Sequence, residues 1–330
     1  MLLASGVVLE VRVKTLWQSN VERDGIEEYR ARGRGCLAES VARLLFRFLR
    51  VFRLETVRKW GRVLGSLAYY LAGSRRRVAL ANLDLAYGDA LSPTEKKAIA
   101  KSSFMNLVTT GLEFCYSPAI DRPIDEIMRA VNPEVFTDTY NREKGIILLV
   151  PHMGNWEISA RWFAERGYQV HAVTRRQKQP WVTRLVSEIR KRNGIREIDK
   201  KNALNPVLRA LRRGEIVSML IDQYARREAV EVQFFGHPAG TVASAATLAT
   251  RIGCDVMVAC CFRFPDGSFG GVFSDPLETT VTGDRDKDLV ENTQQYVSAM
   301  ETFVRKYPHD WMWMHRRWRK LQERSFLGSL

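Results

Sequence analysis

The sequence predicts an α/β protein with a mainly parallel central sheet flanked by helices. After Gly145, short apolar runs typical of buried strands alternate with helical patterns. Four of these helical patterns end at a glycine, the residue preferred just past a helix end. The chain has 330 residues, 45% of them hydrophobic and 27% charged, which excludes wholesale disorder and leaves room for a large core without disulfides.

The predicted elements follow one another in a regular order. Strands are predicted over residues 146–150, 168–173, 195–198, 216–221 and 256–264, with an edge strand over 269–274. Helices are predicted over 156–166, 181–193, 205–213 and 241–252, with a closing helix over 289–307. Because no repeat or internal linker interrupts this order, residues 118–325 are predicted to form one α/β core. Together with residues 36–117 they make one compact unit over 36–325.

The N-terminal third differs in character from this core. Residues 1–35 are polar and irregular, and we predict a weakly ordered extension. Residues 36–117 are predicted to be helical and membrane-associating. A capping sequence that begins at Ser92 starts a helix over 92–117.

The helix predicted over 36–52 is amphipathic. Arg43, Arg47 and Arg50 share one face with Glu39, and leucines and phenylalanines occupy the other. Such a helix suits a membrane interface, and an ordinary surface helix docked on the core fits the pattern equally well. Between residues 36 and 77 there are ten Lys or Arg against two Glu, which favours the membrane slightly.

The composition of the chain limits which kinds of partner it is expected to bind. Lys and Arg number 51 against 37 Asp and Glu, a net charge of +14 that predicts an acidic partner such as nucleic acid, anionic lipid, a phosphorylated substrate or an acidic protein. The sequence has no apolar run long enough to span a membrane and no convincing signal peptide, so we expect it on the cytosolic side. The five cysteines lack metal-site spacing, and we expect reduced thiols with no metal or cofactor.

Chemistry is expected beyond the carboxyl ends of the strands. His152 follows the strand over 146–150, and Glu157 begins the next helix. A histidine held by a carboxylate is the usual general base, and without a Ser or Cys nucleophile in this segment it would activate a substrate hydroxyl directly. The alternative is a turn histidine that caps the helix. We predict His152 and Glu157 to be catalytic, and Asn155 between them to bind substrate.

Two further strand ends carry polar side chains. Asp222 and Gln223 follow the strand over 216–221, and they would orient a substrate or make a structural turn. Arg175 and Arg176 follow the strand over 168–173, in a stretch with thirteen basic and three acidic residues from 175 to 213. Arginines at this position suit a phosphate or an acidic protein. We predict all four as substrate-binding residues.

The segment after Pro308 contains three tryptophans and two adjacent arginines. It would stack on nucleic-acid bases, or it would pack against the sheet. The sequence contains no recognised nucleic-acid module, so we expect no nucleic-acid partner.

Four motifs then occur in register: HMGNWE at 152–157, IDQ at 221–223, FFGHPAG at 234–240 and PHDWMWMHRRW at 308–318. Together they strongly resemble the lauroyl/myristoyl acyltransferase family of bacterial lipid A biosynthesis, over about residues 41–320 and including Arg77 and Glu113. The resemblance implies transfer of a fatty acyl chain from acyl carrier protein to a hydroxyl of a phosphorylated glycolipid, at the cytoplasmic face of the inner membrane.

By position, the resemblance implies that His152 is the base and Glu157 its partner, that Arg175 matches the single arginine of the family, and that Arg316 and Arg317 are structural. This chain departs from the family at its N-terminus, where arginines interrupt the usual apolar helix. We therefore expect peripheral or shallow attachment to an anionic membrane surface. An acyl-CoA-dependent enzyme that acts on a lysophospholipid or other lipid acceptor is the alternative.

Overall fold

The structure, a computed structural model, describes residues 37–319 and 321. The predicted extension over 1–35 lies outside them. The helices are α1 (37–49), α2 (Leu54–Leu71), α3 (Gly73–Tyr87), α4 (Pro93–Tyr116), α5 (Pro133–Tyr140), α6 (Trp156–Glu165), α7 (Pro180–Arg192), α8 (Leu204–Arg212), α9 (Ser244–Ile252) and α10 (Arg285–Lys306). The strands are β1 (Met128–Ala130), β2 (Ile146–Leu149), β3 (Val170–Thr174), β4 (Arg196–Asp199), β5 (Ile216–Met219), β6 (Ala229–Phe234), β7 (His237–Val242), β8 (Asp255–Arg263) and β9 (Phe269–Phe273).

A seven-stranded sheet forms the centre of the molecule, in the order β1-β9-β8-β2-β5-β3-β4. All neighbouring strands in it are parallel except β8 and β9. Strand β2 is buried at every position, as expected for a strand with parallel neighbours and helices on both faces. The predicted α/β class, with a mainly parallel sheet flanked by helices, is confirmed.

The predicted strands of the core all form, with ends shifted by one or two residues. The sequence analysis did not predict the antiparallel hairpin of β6 and β7, because glycines and Pro238 in this segment are typical of a turn. The helix predicted from residue 241 begins instead at Ser244, since Thr241 and Val242 belong to β7. Cys254, Cys260 and Cys261 are buried.

The N-terminal helices pack on one another and on the core. Helix α2 lies so close to α4 that a Cβ on Gly65 would come 2.4 Å from the Cα of Met105. Helices α1 and α2 also present large apolar side chains to solvent: Leu37, Val41, Leu44, Leu45, Phe48, Val63, Leu64, Leu67, Tyr70 and Leu71. No helix within residues 37–319 is both long and apolar enough to cross a membrane.

Candidate active site

The sheet topology brings His152 and Asp222 together. Strands β2 and β5 are parallel neighbours in which Leu149 is paired with Met219. His152 and Asp222 each follow three residues after these partners, so they leave the same edge of the sheet side by side. The carboxyl ends of parallel strands are the expected place for a ligand site.

Asp222 holds both the side chain and the backbone of His152. Its Oδ1 lies 2.7 Å from Nδ1 of His152, and its Oδ2 accepts hydrogen bonds from the backbone N–H of His152 at 2.8 Å and from Nε1 of Trp311 at 2.9 Å. Only 4% of Asp222 is exposed. A buried carboxylate with three donors is well satisfied, and it fixes the orientation of the imidazole ring.

Asp222 and His152 shift each other's pKa. Burial opposes ionisation of Asp222, but the charge and hydrogen bonds of His152, with the bond from Trp311, lower the pKa of Asp222 to about 2. Burial alone would lower the pKa of His152, and the charge and hydrogen bond of Asp222 outweigh it and raise that pKa above 6.5. Because the Asp222 carboxylate can only accept, Nδ1 carries the proton in the neutral form of His152 and Nε2 then has the lone pair.

Gln223 lies over this lone pair. Its Nε2 is 3.2 Å from Nε2 of His152, so the amide donates to the nitrogen that would take a proton from a substrate. The backbone carbonyl of Gln223 accepts a hydrogen bond from the fully buried Arg317, which also bonds to the carbonyl of Gly240 and the hydroxyl of Thr241 on β7. Burial lowers the pKa of Arg317 to about 10. Arg317 therefore ties the loop after β5 to the hairpin, consistent with the structural role implied for it.

Glu157, predicted as the carboxylate partner of His152, contacts Arg190 instead. Its two oxygens accept from Nη2 and Nε of Arg190 at 2.5 and 3.0 Å, while Nη1 of Arg190 bonds to Glu197. The carboxylate in hydrogen-bond contact with His152 is Asp222. Glu157 lies in the first turn of α6 and its side chain reaches α7, whereas Asp222 arrives from the neighbouring strand. The charge of Glu157 still contributes to raising the pKa of His152, and its catalytic role stays a prediction.

Asn155, predicted to bind substrate, is 1% exposed, and both its amide oxygen and its amide nitrogen bond to other residues of the protein. Its Oδ1 accepts from the backbone N–H of Ile158 and so caps α6, and its Nδ2 donates to Glu113. Glu113 also binds Nε of Arg58 at 2.7 Å and Nη1 of Arg263 at 3.0 Å. We call Arg58, Glu113 and Arg263 the buried ion cluster. Asn155 connects it to the loop that carries His152.

Helix α4 supports the same loop with a polar stripe that the sequence analysis did not identify beyond Glu113. Thr110 donates to the carbonyl of Gly154 at 2.8 Å, and Asn106 donates to the carbonyl of Asp310 at 2.9 Å. Gly154 has a φ of +56°, and a Cβ there would lie 2.4 Å from the carbonyl oxygen of Cys261. The spacing of Thr110, Asn106 and Glu113 on one helical face was the available signal.

The tryptophan-rich segment packs inside the protein. Trp311, Trp313 and Trp318 are at most 1% exposed, so their rings are not available to stack on bases. The backbone N–H of Met312 donates to the carbonyl of His152 at 3.1 Å, and Trp311 pairs with Met153 in a single antiparallel bridge. Of the two alternatives for this segment, packing inside the protein is the one that the structure shows, and the segment also helps to position His152.

A basic cleft of about 470 Å³ lies beyond the carboxyl end of β3, and Arg175, Arg176, Arg184 and Arg190 line it. Arg176 is paired with Asp199 at 2.6 Å, Arg184 contacts Glu39, and Arg190 is held by Glu157 and Glu197. Arg175 makes no ion pair with any residue of the described part of the chain. The predicted substrate contacts of Arg175 and Arg176 remain predictions.

A narrow apolar cavity lies between β2, β8, β9 and α6. Val150, Trp156, Phe163, Ala259 and Phe273 are among its lining residues. The ring of Trp156 is 5.2 Å from that of His152, centroid to centroid, so this cavity is next to the imidazole. Within residues 37–319 and 321, no group of His, Cys, Asp and Glu is arranged to hold a metal ion.

Comparison with known proteins gives one consistent family. The family described as bacterial lipid A biosynthesis acyltransferase matches residues 38–320. A lipid A biosynthesis lauroyltransferase of Escherichia coli (strain K12) is 27% identical over 268 residues, 79% of this chain and 84% of that protein. A phosphatidylinositol mannoside acyltransferase of Mycobacterium tuberculosis (strain CDC 1551 / Oshkosh) is 24% identical over 178 residues, 53% of this chain and 54% of that protein.

Proposed function

The chain belongs to the bacterial lipid A biosynthesis acyltransferase family, and from this premise we propose that it moves a fatty acyl chain from acyl carrier protein to a hydroxyl of a lipid A precursor or a similar glycolipid. The observation that carries the proposal is the His152–Asp222 pair, a partly exposed imidazole oriented by a buried carboxylate. The segment from 152 to 157 that carries His152 contains no Ser or Cys. Such a base suits direct attack by a substrate hydroxyl.

In the proposed reaction, Nε2 of His152 removes the proton of the acceptor hydroxyl. The acceptor oxygen forms a bond to the thioester carbonyl carbon, the carbon–sulfur bond breaks, and the departing thiolate takes the proton back from His152. Asp222 keeps the imidazole in the reactive tautomer and stabilises the imidazolium. The hydroxyl takes the place of the Gln223 amide on Nε2. Glu157 acts at a distance, by holding Arg190 at the edge of the basic cleft.

An apolar and a basic cavity would take different parts of the substrates. The apolar cavity lined by Trp156 and Val150, with a volume of about 30 Å³, marks where an acyl chain would enter, and its walls would have to move apart to admit a whole chain. The basic cleft around Arg175 would take the phosphate of the acceptor or an acidic surface of the carrier protein. The exposed apolar side chains of α1 and α2 would rest on the cytoplasmic face of the inner membrane, with peripheral or shallow insertion.

A second acceptor class has its own support. The mycobacterial relative is named for a phosphatidylinositol mannoside, so the relatives of this chain include an acyltransferase named for a glycolipid other than lipid A. Acyl-CoA in place of acyl carrier protein is the corresponding alternative donor. Competition between the two donors for the purified protein would decide between them.

The test is acyl transfer by the purified full chain from acyl carrier protein to a lipid A precursor, followed by mass spectrometry. We expect His152→Ala to lower the rate by about 10²–10⁴-fold, the usual contribution of a positioned base. His309→Ala is the matched control, because His309 lies outside the site. A folded His152→Ala protein with unchanged turnover would rule out this mechanism.

A further inference from the structure

We propose that a cleft between α1 and α7 binds the phosphate group of an anionic membrane lipid. We call it the arginine cleft, and it is distinct from the basic cleft beyond β3. Arg43, Arg47, Arg50 and Arg192 contribute its cations, and Glu188 is the carboxylate that lines it. The assignment deepens the proposed membrane association of α1 and therefore rests on it.

The arginine cleft is large enough to hold a phosphate group. Its volume is about 130 Å³, whereas a single water needs about 10–15 Å³ of such space. Phe46, Pro118, Leu185 and Ile189 form its apolar walls. An arginine rim above apolar walls suits a phosphate that is attached to an aliphatic group.

The charges of the cleft are only partly balanced by the protein. Arg43 binds Glu39 and Glu188, each at 2.8 Å, which uses the carboxylate of Glu188. Arg47, Arg50 and Arg192 form no side-chain hydrogen bond or ion pair with other residues of the described part of the chain. Three arginines thus share one cavity, and among the described residues Glu188, already bound to Arg43, is the carboxylate that lines it.

Arg50 shows the consequence of this crowding. Its Nε is buried and has no hydrogen-bond partner among the described residues. Burial, followed by repulsion from Arg192 and Arg47, lowers the pKa of Arg50. A bound phosphate would supply the missing acceptor and cancel the repulsion. Charge-assisted bonds between guanidinium and phosphate are among the strongest hydrogen bonds that proteins make.

The position of the cleft identifies the phosphate as that of a lipid. Leu44, Leu45 and Phe48 lie exposed on α1, the helix that supplies Arg43, Arg47 and Arg50. If these apolar side chains enter the acyl boundary of a membrane, the arginines of the same helix lie at the depth of the headgroup phosphates. Helix α7 separates the two clefts, because Arg184 and Arg190 line the basic cleft while Leu185 and Arg192 face α1.

The test is flotation of the full chain with vesicles of phosphatidylcholine alone or with added phosphatidylglycerol. The measured quantity is the binding constant for the vesicles with phosphatidylglycerol divided by that for the vesicles of phosphatidylcholine alone. We expect Arg50→Gln with Arg192→Gln to lower this ratio by roughly 20–30-fold, since each arginine at an anionic surface contributes about fivefold. The control is Arg209→Gln with Arg212→Gln, two exposed arginines of α8 that change the net charge equally, and we expect less than a twofold change.

Equal loss of the ratio in both pairs, or no loss in the cleft pair, would overturn the assignment. Circular dichroism shows whether each variant is folded, and Arg192→Gln alone, at an exposed position, gives a second variant with an expected loss of about fivefold. A second experiment measures the melting temperature with inorganic phosphate as the ligand. If phosphate raises the melting temperature of the wild type but not of the cleft pair, while anionic vesicles bind both equally, the cleft is a site for free phosphate and the lipid assignment is wrong.

His152→Ala separates this proposal from the proposed function. We expect it to bind anionic vesicles as the wild type does while acyl transfer is lost. A wild-type chain that binds through the cleft but transfers no acyl group would contradict the proposed function and leave the cleft assignment intact. The reverse result would contradict only the cleft.

Discussion

Arginine is used in two opposite ways in this protein. In the buried ion cluster, Arg58 and Arg263 both contact Glu113, and Asn155 and Asn106 extend the contacts to the loops around His152. In the arginine cleft, Arg47, Arg50 and Arg192 line one cavity, and none of them forms a hydrogen bond or ion pair through its side chain with another described residue. The first group holds a loop in place, and the second keeps its capacity to bind an anion. Arg58 and Arg263 differ from Arg47, Arg50 and Arg192 in having a carboxylate partner.

Removal of the central carboxylate should give the largest effect on stability. Glu113→Gln leaves Arg58 and Arg263 buried beside a neutral amide, and we expect a loss of about 3–5 kcal/mol in the free energy of unfolding. Glu278→Gln, at an exposed position with no described partner, should change it by less than about 0.5 kcal/mol. Chemical denaturation measures both. Equal, small losses would mean that the buried ion cluster does not stabilise the fold.

The loop held by the cluster should also be sensitive to one added methyl group. In Gly154→Ala, the alanine would have to adopt a positive φ and its Cβ would lie against the carbonyl of Cys261. We therefore expect a loss of about 2–3 kcal/mol in the free energy of unfolding, together with reduced turnover. Gly167→Ala is the control, because its φ is +81° but the space around it is open. It should cost only about 1–2 kcal/mol, and turnover should be unchanged. If the two variants behave alike, the close contact at Gly154 is unimportant.

The smallest effect on stability is expected in the arginine cleft. Arg50→Gln with Arg192→Gln removes two mutually repelling charges that have no described partners, so the free energy of unfolding should stay within about 0.5 kcal/mol of the wild type or rise. The measurement is the same denaturation series. A loss as large as that of Glu113→Gln would show that these arginines are structural, and the contrast between the two regions would disappear.

Much of this arrangement could be predicted from the sequence. Six of the nine described strands, the glycine-terminated helices, the family and the two strand ends that carry His152 and Asp222 were predicted, and the structure and the family match confirm them. Strands β1, β6 and β7 were not predicted. The pairing of His152 with Asp222 could not be predicted. It depends on β2 and β5 being neighbours, and strand order depends on contacts between segments about 70 residues apart in sequence.

The prediction of Glu157 shows the limit of arguments from spacing. Five residues along the chain seemed close enough for contact, but a change from strand to helix between His152 and Glu157 directs the two side chains to different neighbours. The polar stripe of α4 was not predicted, for a related reason. Asn106 and Thr110 acquire their role from carbonyls of residues 154 and 310, which lie far away in sequence.

The most direct test of the central claim is the pH dependence of kcat/KM for the wild type, Asp222→Asn and Glu157→Gln. A general base works in its neutral form, so wild-type kcat/KM should rise with pH through the raised pKa of His152, above 6.5. Asp222→Asn removes the main influence that raises this pKa, and burial then lowers it. We therefore predict a midpoint shifted to lower pH and a maximum reduced by about 10²–10⁴-fold. Glu157→Gln should shift the midpoint less and retain most of the activity. The opposite ranking of the two variants would contradict the account and favour Glu157 as the partner of His152.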